Sequence, residues 1–385
     1  MSALELRMPV RRARLAFVGV LFALTVGLGW AVVPTSASAT GRSSRSDSSR
    51  AAGTLNGVSC VSARSCIAVG YLGDRTLVES WNGSRWSTVR SPDRGFNSAL
   101  FGVSCSSARS CVAVGTYADS AGQRALIESW NGRVWSVEPS PSPSPTGVDL
   151  LGVSCVSARS CQAVGGHGGA ALIESWNGIA WSIVPSPSVG GGRKQLAAVS
   201  CPAARSCVAV GDSGGRTLVE SWNGAAWSVT PSPTPGTYGG LSGVSCVATR
   251  SCVAVGSYSF GTGSGASAPG RALIESWNGT TWSVVPNPSP PVAYLFATSC
   301  AAARSCRAVG EYQGGTGLFR ALVESWNGAT WSVEPSPSPT VAYLYGVSCV
   351  SARSCRAVGQ SAENGRGSGP ALALTESWNG GTWSV

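Results

Sequence analysis

The side chains that could do chemistry in this chain recur at a fixed spacing. All 14 cysteines fall into seven pairs with five residues between the partners. The pairs are Cys60/Cys66, Cys105/Cys111, Cys155/Cys161, Cys201/Cys207, Cys246/Cys252, Cys300/Cys306 and Cys349/Cys355. In an exported protein such pairs predict disulfides, each worth roughly 2 kcal/mol through its constraint on the unfolded chain. A metal or redox site at the same spacing is the alternative.

One arginine, one glutamate and two tryptophans accompany each cysteine pair. The arginines are Arg64, Arg109, Arg159, Arg205, Arg250, Arg304 and Arg353, and the glutamates are Glu79, Glu128, Glu174, Glu220, Glu275, Glu324 and Glu376. The tryptophan pairs are Trp81/Trp86, Trp130/Trp135, Trp176/Trp181, Trp222/Trp227, Trp277/Trp282, Trp326/Trp331 and Trp378/Trp383. Because a carboxylate among tryptophans is costly to bury unless it is paired, we expect structural Arg–Glu bridges. The alternative is a repeated sugar site, with Arg64, Glu79, Trp86, Arg250, Glu275 and Trp282 among its members.

Groups suited to catalysis are few. His167 is the only histidine, so a copper centre with paired imidazoles cannot be built from this chain. Carboxylate pairs for glycoside cleavage remain possible. The candidates are Asp74, Asp93, Asp119, Asp149, Asp212 and Glu311. We expect no enzyme activity, no metal and no cofactor.

A repeat must position these residues. Successive first cysteines lie 45, 50, 46, 45, 54 and 49 residues apart, which is the range of propeller blades. The first repeat contains four short apolar runs bounded by turn residues, at 56–60, 66–71, 76–81 and 84–89, and these predict strands. The sequence therefore predicts an all-β, seven-bladed β-propeller with four antiparallel strands and one disulfide per blade. The repeats span about 55–99, 100–150, 151–195, 196–240, 241–294, 295–343 and 344–385.

An Asn-Gly pair precedes the second tryptophan of every repeat, as at Asn82-Gly83. Between apolar runs this pair is typical of a two-residue type I′ hairpin. Such a loop makes Trp81 face Ser84 and sets Trp86 diagonal to Trp81. We expect the tryptophan face of one blade to pack on the slimmer face of its neighbour.

The N-terminus has the features of an export signal. Four arginines are followed by an apolar run at 15–33 and by Ala37-Ser38-Ala39, which predicts a signal peptide over residues 1–39. The apolar run is also long enough to stay as a membrane anchor. Residues 40–54 are expected to be a flexible linker. The remaining domain stays basic, but its arginines are spread out, so we expect no specific nucleic acid partner.

Variable positions concentrate at one end of the predicted propeller. The loops between second and third strands and the connections between blades meet there, and loops on a rigid frame are common binding sites. The candidate binding residues are Tyr117, Asp119, His167, Tyr258, Phe260, Glu311, Tyr312 and Phe319, with Asp149, Tyr294 and Tyr343 nearby. The alternative is that these loops are solvated linkers.

The repeat resembles the kelch repeat and galactose oxidase-like propellers over residues 55–385. It has Ala68-Val69-Gly70 where kelch has a double glycine, and Ser-Trp-Asn-Gly where kelch has a tyrosine–aspartate pair. It is more similar to secreted bacterial repeat proteins with units such as ESWNGTTWSVVPNPSP, and that resemblance implies a propeller without a defined activity. Residues 276–282 are also similar to a sialidase Asp-box. Glu275 and Trp282 are similar to the sugar-binding positions of fucose-binding lectins.

These observations together predict an exported, non-enzymatic binding scaffold, secreted or at the cell surface. Its expected partner is a protein or a glycan, and we expect a monomer that contacts a membrane only if the N-terminal segment is retained. A multivalent lectin and a glycan hydrolase are the alternative functions.

Overall fold

The computed structural model describes residues 52–141, 147–187, 191–261, 269–339, 341–362 and 370–385. The predicted signal segment, and the linker as far as residue 51, lie outside the described residues. Among the residues described, no helix has the length and apolarity that a membrane span requires.

Seven four-stranded antiparallel sheets form the blades, numbered 1 to 7 along the chain, and each uses four consecutive strands. The first strands are β1 (Thr54–Ser62), β5 (Phe96–Ser107), β9 (Val148–Ser157), β13 (Lys194–Ala203), β17 (Tyr238–Ala248), β21 (Ala293–Ala302) and β25 (Ala342–Ser351). The second strands are β2 (Ser65–Leu72), β6 (Ser110–Asp119), β10 (Ser160–His167), β14 (Ser206–Ser213), β18 (Ser251–Ser259), β22 (Ser305–Gln313) and β26 (Ser354–Ala362). The third strands are β3 (Arg75–Trp81), β7 (Gly122–Trp130), β11 (Ala170–Trp176), β15 (Arg216–Trp222), β19 (Arg271–Trp277), β23 (Phe319–Trp326) and β27 (Ala371–Trp378). The fourth strands are β4 (Trp86–Thr88), β8 (Trp135–Glu138), β12 (Trp181–Ile183), β16 (Trp227–Val229), β20 (Trp282–Val284), β24 (Trp331–Glu334) and β28 (Trp383–Ser384).

The predicted disulfides are confirmed. Each cysteine pair is bonded within one blade, joining its first and second strands. Cys60 and Cys66, for example, face each other in the β1–β2 ladder. Because every cysteine of the described residues is bonded in this way, the alternative of a metal or redox site at this spacing was wrong. Seven such bonds are typical of an oxidising, extracytoplasmic compartment.

The two cysteines of each pair differ in burial, which their spacing did not predict. The first cysteine is half-buried, whereas the second lies on the second strand, between two other strands and opposite the first tryptophan of the blade, as Cys66 lies opposite Trp81. The second cysteines are Cys66, Cys111, Cys161, Cys207, Cys252, Cys306 and Cys355, and each is at most 3% exposed. These seven candidate site residues are therefore closed to a ligand and serve only as structural parts of the blade cores.

The turn between third and fourth strands differs from the prediction. Trp81 pairs directly with Trp86, so the loop has four residues and not two. Gly83 has a φ of 99° while Asn82 keeps a negative φ, and the Asn82 Oδ1 accepts hydrogen bonds from the two backbone N–H groups that follow Gly83. The asparagine side chain therefore organises a wider turn, and the two indole rings lie opposite each other with centroids 5.7 Å apart.

The blades pack face to face as expected. The face of blade 3 that includes Leu172 and Trp181 packs against Val114 and Ile127 of blade 2, and the other junctions repeat this arrangement. Large rings on one face fill the space above branched aliphatic residues on the next. The apolar core is thus divided among the blade junctions.

The ring closes through hydrogen bonds as well as packing. The serine before each first cysteine accepts a hydrogen bond from the backbone N–H of the next blade's first cysteine, seven times around the axis. At the closing junction, Cys60 N–H donates to the Ser348 Oγ at 3.0 Å. Gly53 N–H also donates to the carbonyl oxygen of Ala371 at 2.9 Å. Residues just before β1 thus add hydrogen bonds to the last blade.

Candidate functional site

The repeated glutamates are held by serines and not by arginines. Among the described residues the ion pairs are Arg75–Asp93, Arg124–Asp119 and Arg307–Glu334, so the predicted Arg–Glu bridges were wrong. The turn arginines are exposed, and the Arg64 side chain covers Gly83.

A proline-flanked serine from the connection that leaves each blade, here called the exit segment, donates instead to the next blade's glutamate. The pairs are Ser91–Glu128, Ser140–Glu174, Ser186–Glu220, Ser232–Glu275, Ser289–Glu324 and Ser336–Glu376. These contacts span two blades, and the glutamates they reach are 0% exposed. Burial raises the pKa of Glu128, Glu174, Glu220 and Glu275 to about 7, and that of Glu324 to about 6, although the serine hydroxyls oppose the shift.

The repeated lectin site does not form an open groove at its best-matched position. Glu275 is fully buried and Trp282 is 6% exposed between two blades, while Arg250 lies on the surface turn. A sugar ring has no access to both groups. Glu79 and Trp86 belong to the closing junction and are less covered.

Each first strand contains a β-bulge, and the extra residue of the bulge lines the central channel. A register shift follows the buried leucine of every first strand, as between Leu344 and Gly346, and the extra residue faces the channel. These residues are Asn56, Phe101, Leu151, Ala197, Ser242, Phe296 and Tyr345. A small residue follows each of them because the first strands nearly touch: a Cβ on Gly57 would lie 2.8 Å from the Phe101 carbonyl oxygen. The bulge takes this one position out of the apolar cores between blades.

Five aromatic rings form a continuous row from the variable end into the channel. The centroid distances are 6.3 Å for Tyr294–Phe319, 6.4 Å for Phe319–Tyr343, 6.2 Å for Tyr343–Tyr345 and 5.6 Å for Tyr345–Phe296. Tyr343 and Tyr345 are stacked, with an interplanar angle of 7°. This aromatic row joins blades 6 and 7 at the mouth of the channel.

The carboxyl group of Glu311 lies beside the aromatic row. Glu311 pairs with Tyr294 in the β21–β22 ladder, and burial raises its pKa to about 7. Burial, and then the charge of Glu311, raise the pKa of Tyr343 and Tyr345. Among the described residues, none donates a hydrogen bond to Glu311 or forms an ion pair with it. A partly desolvated carboxylate beside ring faces is therefore available to a ligand.

A second acidic group at the same end is already satisfied by the protein. Asp149 accepts a hydrogen bond from Gly166 N–H at 2.9 Å, and the Gln195 amide lies 3.2 Å from its Oδ2. Burial raises the pKa of Asp149, while these bonds and the charge of Arg193 lower it. Unlike Asp149, Glu311 has no such partner among the described residues.

The remaining predicted binding residues are spread over several blades. In blade 2, Arg94 lies over the Tyr117 ring at 5.5 Å and Asp119 pairs with Arg124 at 2.5 Å. His167 ends β10 in blade 3, and Tyr258 meets Phe260 edge to face in blade 5. These positions in blades 2, 3 and 5 do not form one site.

Of the residues predicted at the variable end, Glu311, Phe319, Tyr294 and Tyr343 come together in the aromatic site. Tyr312, beside Glu311 in the sequence, packs into the core between blades 5 and 6. Its alternation with Glu311 along β22 places the two side chains on opposite faces of the sheet.

Sequence reasoning missed Phe296 and Tyr345. A signal was present, because the position after the first-strand leucine varies among Asn, Phe, Leu, Ala, Ser and Tyr while its neighbours are nearly uniform. Among the described residues no group of three His, Cys, Asp or Glu side chains could hold a metal ion.

Solved structures share this architecture at low sequence identity. YCF48 bound to D1 peptide is 12% identical with a TM-score of 0.55, over 85% of this chain and 93% of that one. YCF48 from Cyanidioschyzon merolae is 15% identical with a TM-score of 0.56, over 85% and 96%. The GH74 xyloglucanase from Xanthomonas campestris is 13% identical with a TM-score of 0.57, over 86% of this chain but 55% of the xyloglucanase. These likenesses show the propeller fold alone.

No protein-family model matches the chain, and no curated protein matches it.

Proposed function

We propose that this protein is an exported, monomeric binding scaffold that receives a cationic side chain of a polypeptide partner at the mouth of its channel. The observation that supports this is the Glu311 carboxylate, which lacks a partner among the described residues and lies beside the aromatic row. A buried carboxylate is stabilised when a guanidinium or ammonium group pairs with it. The faces of Tyr343 and Tyr345 add attraction for the same cation.

The rigid frame suits binding by a preformed site. The row is built from strand residues of β21, β23 and β25, so its geometry does not depend on loop ordering. A propeller of similar fold, YCF48, has been solved with a peptide bound, which supports a polypeptide as the partner. The kelch-like resemblance, secretion and absence of catalysis remain predictions that accompany this proposal.

Binding of N-acetyl-arginine amide, compared with its neutral citrulline analogue, tests the proposal. We expect the arginine compound to bind and the citrulline compound to bind at least about tenfold more weakly, as a lost charged hydrogen bond implies. Glu311→Gln should abolish the preference, while Glu220→Gln, at a filled blade junction, should keep it. Equal binding of both compounds, or a preference that survives Glu311→Gln, would contradict a cation site.

The same site predicts a pH dependence. A cation requires the ionised carboxylate, and the pKa of free Glu311 is raised to about 7. The affinity for N-acetyl-arginine amide should therefore rise about tenfold between pH 6 and pH 8, and Glu311→Gln should remove this rise. Calorimetric titration at the two pH values measures it. A glycan array in parallel would favour a lectin instead if it showed binding that Tyr343→Ala abolishes and Glu311→Gln does not.

A further inference from the structure

The seven turn arginines have no role in the sites described so far. Each lies in the turn between the first and second strands of its blade, and none forms an ion pair among the described residues. All seven are exposed. In every blade the arginine side chain lies against the glycine of the turn between third and fourth strands, so that a Cβ on Gly83 would lie 2.9 Å from the Arg64 Cγ. Seven guanidinium groups are therefore held at equivalent positions around the ring.

These fourteen turns form one end of the propeller, here called the constant end. In all seven blades the turn between first and second strands has two residues, as at Ala63-Arg64, and the turn between third and fourth strands has four, as at 82–85. The serine hydrogen bonds between neighbouring first strands also repeat around the ring. Turns of equal length on blades related in this way end at nearly the same height, so the constant end is close to level.

The charged residues of the constant end all have one sign. Its fourteen turns contain no aspartate and no glutamate. Arg85 and Arg133, in the four-residue turns of blades 1 and 2, add to the seven turn arginines, and both are exposed. The acidic residues of the loops lie at the opposite end, as Asp74 does between β2 and β3. A surface with nine cations and no anion attracts a partner with many negative charges.

Two apolar side chains are exposed at the same end. Ile179 is 86% exposed and Val134 is 52% exposed, in the four-residue turns of the neighbouring blades 3 and 2. Beside the turn of blade 3 lies the half-buried ring of Trp176, whose Nε1 donates to the Ala158 carbonyl oxygen at 3.1 Å. A soluble polyanion offers no apolar surface to these groups, whereas the boundary between the headgroups and the acyl chains of a bilayer does.

We propose that the constant end docks flat on the surface of an anionic lipid bilayer. The arginines contact the lipid phosphates, and Ile179 and Val134 enter the headgroup region. A level array of cations matches a plane of anionic headgroups, which can engage all seven blades at once. The propeller itself makes this contact, whereas the sequence-based expectation ties membrane contact to the N-terminal segment. The channel mouth, at the opposite end, stays open to a partner.

Hydrogen exchange of the full chain on vesicles tests where the protein contacts a membrane. One set of vesicles contains phosphatidylglycerol and phosphatidylcholine in equal parts, and the control set contains phosphatidylcholine alone. We expect only the anionic vesicles to slow exchange at the turns 131–134 and 177–180, at least about threefold. The turns 168–169 and 214–215, at the opposite end, should exchange at an unchanged rate. Because the readout identifies the contacting residues, insertion of residues 15–33 into the bilayer does not affect its interpretation.

Arginine variants test the role of the charge. An arginine near an anionic membrane surface contributes about fivefold in affinity, so removing three from adjacent blades should weaken vesicle binding roughly a hundredfold. The changes are Arg109→Gln, Arg159→Gln and Arg205→Gln. Lysine at the same three positions should keep most of the binding, which separates the charge from the packing of the turns. Ile179→Ser should weaken binding at least about threefold, as the loss of buried apolar surface implies.

A matched control removes the same charge from exposed arginines at the opposite end, where the third strands begin. The control changes are Arg216→Gln, Arg271→Gln and Arg320→Gln. They should change vesicle binding less than about twofold, because salt screens charges that lie more than a Debye length from the bilayer. Near-ultraviolet circular dichroism establishes that each variant is folded.

Four results would overturn the proposal. The first is the absence of binding to anionic vesicles at low salt, and the second is vesicle-bound protein whose turns 131–134 and 177–180 are not protected. The third is equal weakening by the two sets of glutamine variants. The fourth is binding to soluble polyphosphate without binding to vesicles, because the arginines would then serve a polymer. None of these results bears on Glu311, so the channel-mouth site is tested separately.

Discussion

The repeated glutamate is a buried acidic residue at every blade junction. It lies on the same face as two tryptophans and is fully buried at six positions, and in each a serine hydroxyl from the preceding blade reaches it. One serine cannot replace the water that a carboxylate loses, and the pKa therefore rises. In the folded protein these side chains bind protons at a pH where the unfolded chain has released them.

The raised pKa values predict that the protein loses stability as the pH increases. A carboxyl group whose folded pKa is about 7, as for Glu275, stabilises the folded state below its unfolded pKa of about 4.5 and loses this contribution as the pH rises to 7. The melting temperature should fall between pH 5 and pH 8. Glu275→Gln keeps an acceptor for Ser232 without the charge, so it should raise stability by about 1 kcal/mol at pH 8 and by less at pH 5. A variant less stable than wild type at pH 8 would show that the charge is compensated.

At the scale of an element, the exit segment joins neighbouring blades with few residues. Its serine is usually the fifth residue after the second tryptophan, but blade 5 has Asn287 there, and Ser289 donates to Glu324 instead. In blade 6 both Ser336 and Ser338 donate to Glu376. The segment therefore has two positions from which a hydroxyl can reach the same carboxylate.

This difference predicts unequal effects of serine removal. Ser289→Ala leaves Glu324 without its donor and should cost about 1 to 3 kcal/mol. Ser336→Ala should cost less because Ser338 remains. Asn287→Ser should restore much of the stability that Ser289→Ala removes. Thermal unfolding of the four proteins at one pH measures these effects, and equal losses for both alanine variants would contradict the redundancy.

Local sequence predicted the elements better than their contacts. The β-branched runs and cysteine spacing were sufficient for strands and disulfides, because both depend on residues close in the chain. The partner of Glu128 was missed because Ser91 lies 37 residues away in another blade, and nothing near the glutamate in sequence specifies it. The Asn82 turn was wrong because a side-chain acceptor outcompeted the two-residue hairpin that Asn-Gly favours.

At the scale of the whole molecule, the seven blades form a closed ring in which one junction, between blades 7 and 1, differs from the other six. Neighbouring blades 1 to 7 are joined by the chain itself, whereas blades 7 and 1 are held by packing and by a few hydrogen bonds such as Cys60 to Ser348. The tryptophans of the core cluster at this junction are only partly buried, whereas each other cluster contains one that is at most 7% exposed. Local opening should therefore begin there.

Hydrogen exchange can detect this opening. Ser348→Ala should speed exchange at the amides of Cys60 and Gly53 by about fivefold, as the loss of roughly 1 kcal/mol implies. Ser104→Ala removes the equivalent bond to Cys155, where the chain connects the two blades. It should leave the Gly53 amide unchanged, and equal effects of both variants at Gly53 would show that all junctions open together.

The candidate site could be predicted only in part. Glu311, Phe319, Tyr294 and Tyr343 were identified from the sequence as variable-end residues, since loop variation is visible in the repeat. Their grouping with Phe296 and Tyr345 depends on the angle between blades 6 and 7 and on a β-bulge, and neither can be read from residue types. Contacts between residues of different blades form only when the ring closes, so the sequence of a single repeat does not predict them.

The bulge in each first strand also has a consequence for how such a protein can change. Seven side chains converge on the channel, one from each blade, and none of them belongs to an apolar core cluster between blades. Substitutions at these positions should therefore cost little in folding, except at Asn56, which donates a hydrogen bond from its Nδ2 to the Leu100 carbonyl oxygen of the next blade. The same blade scaffold can thus carry different channel linings. New ligand specificities could be selected from a library randomised at only the codons of these positions.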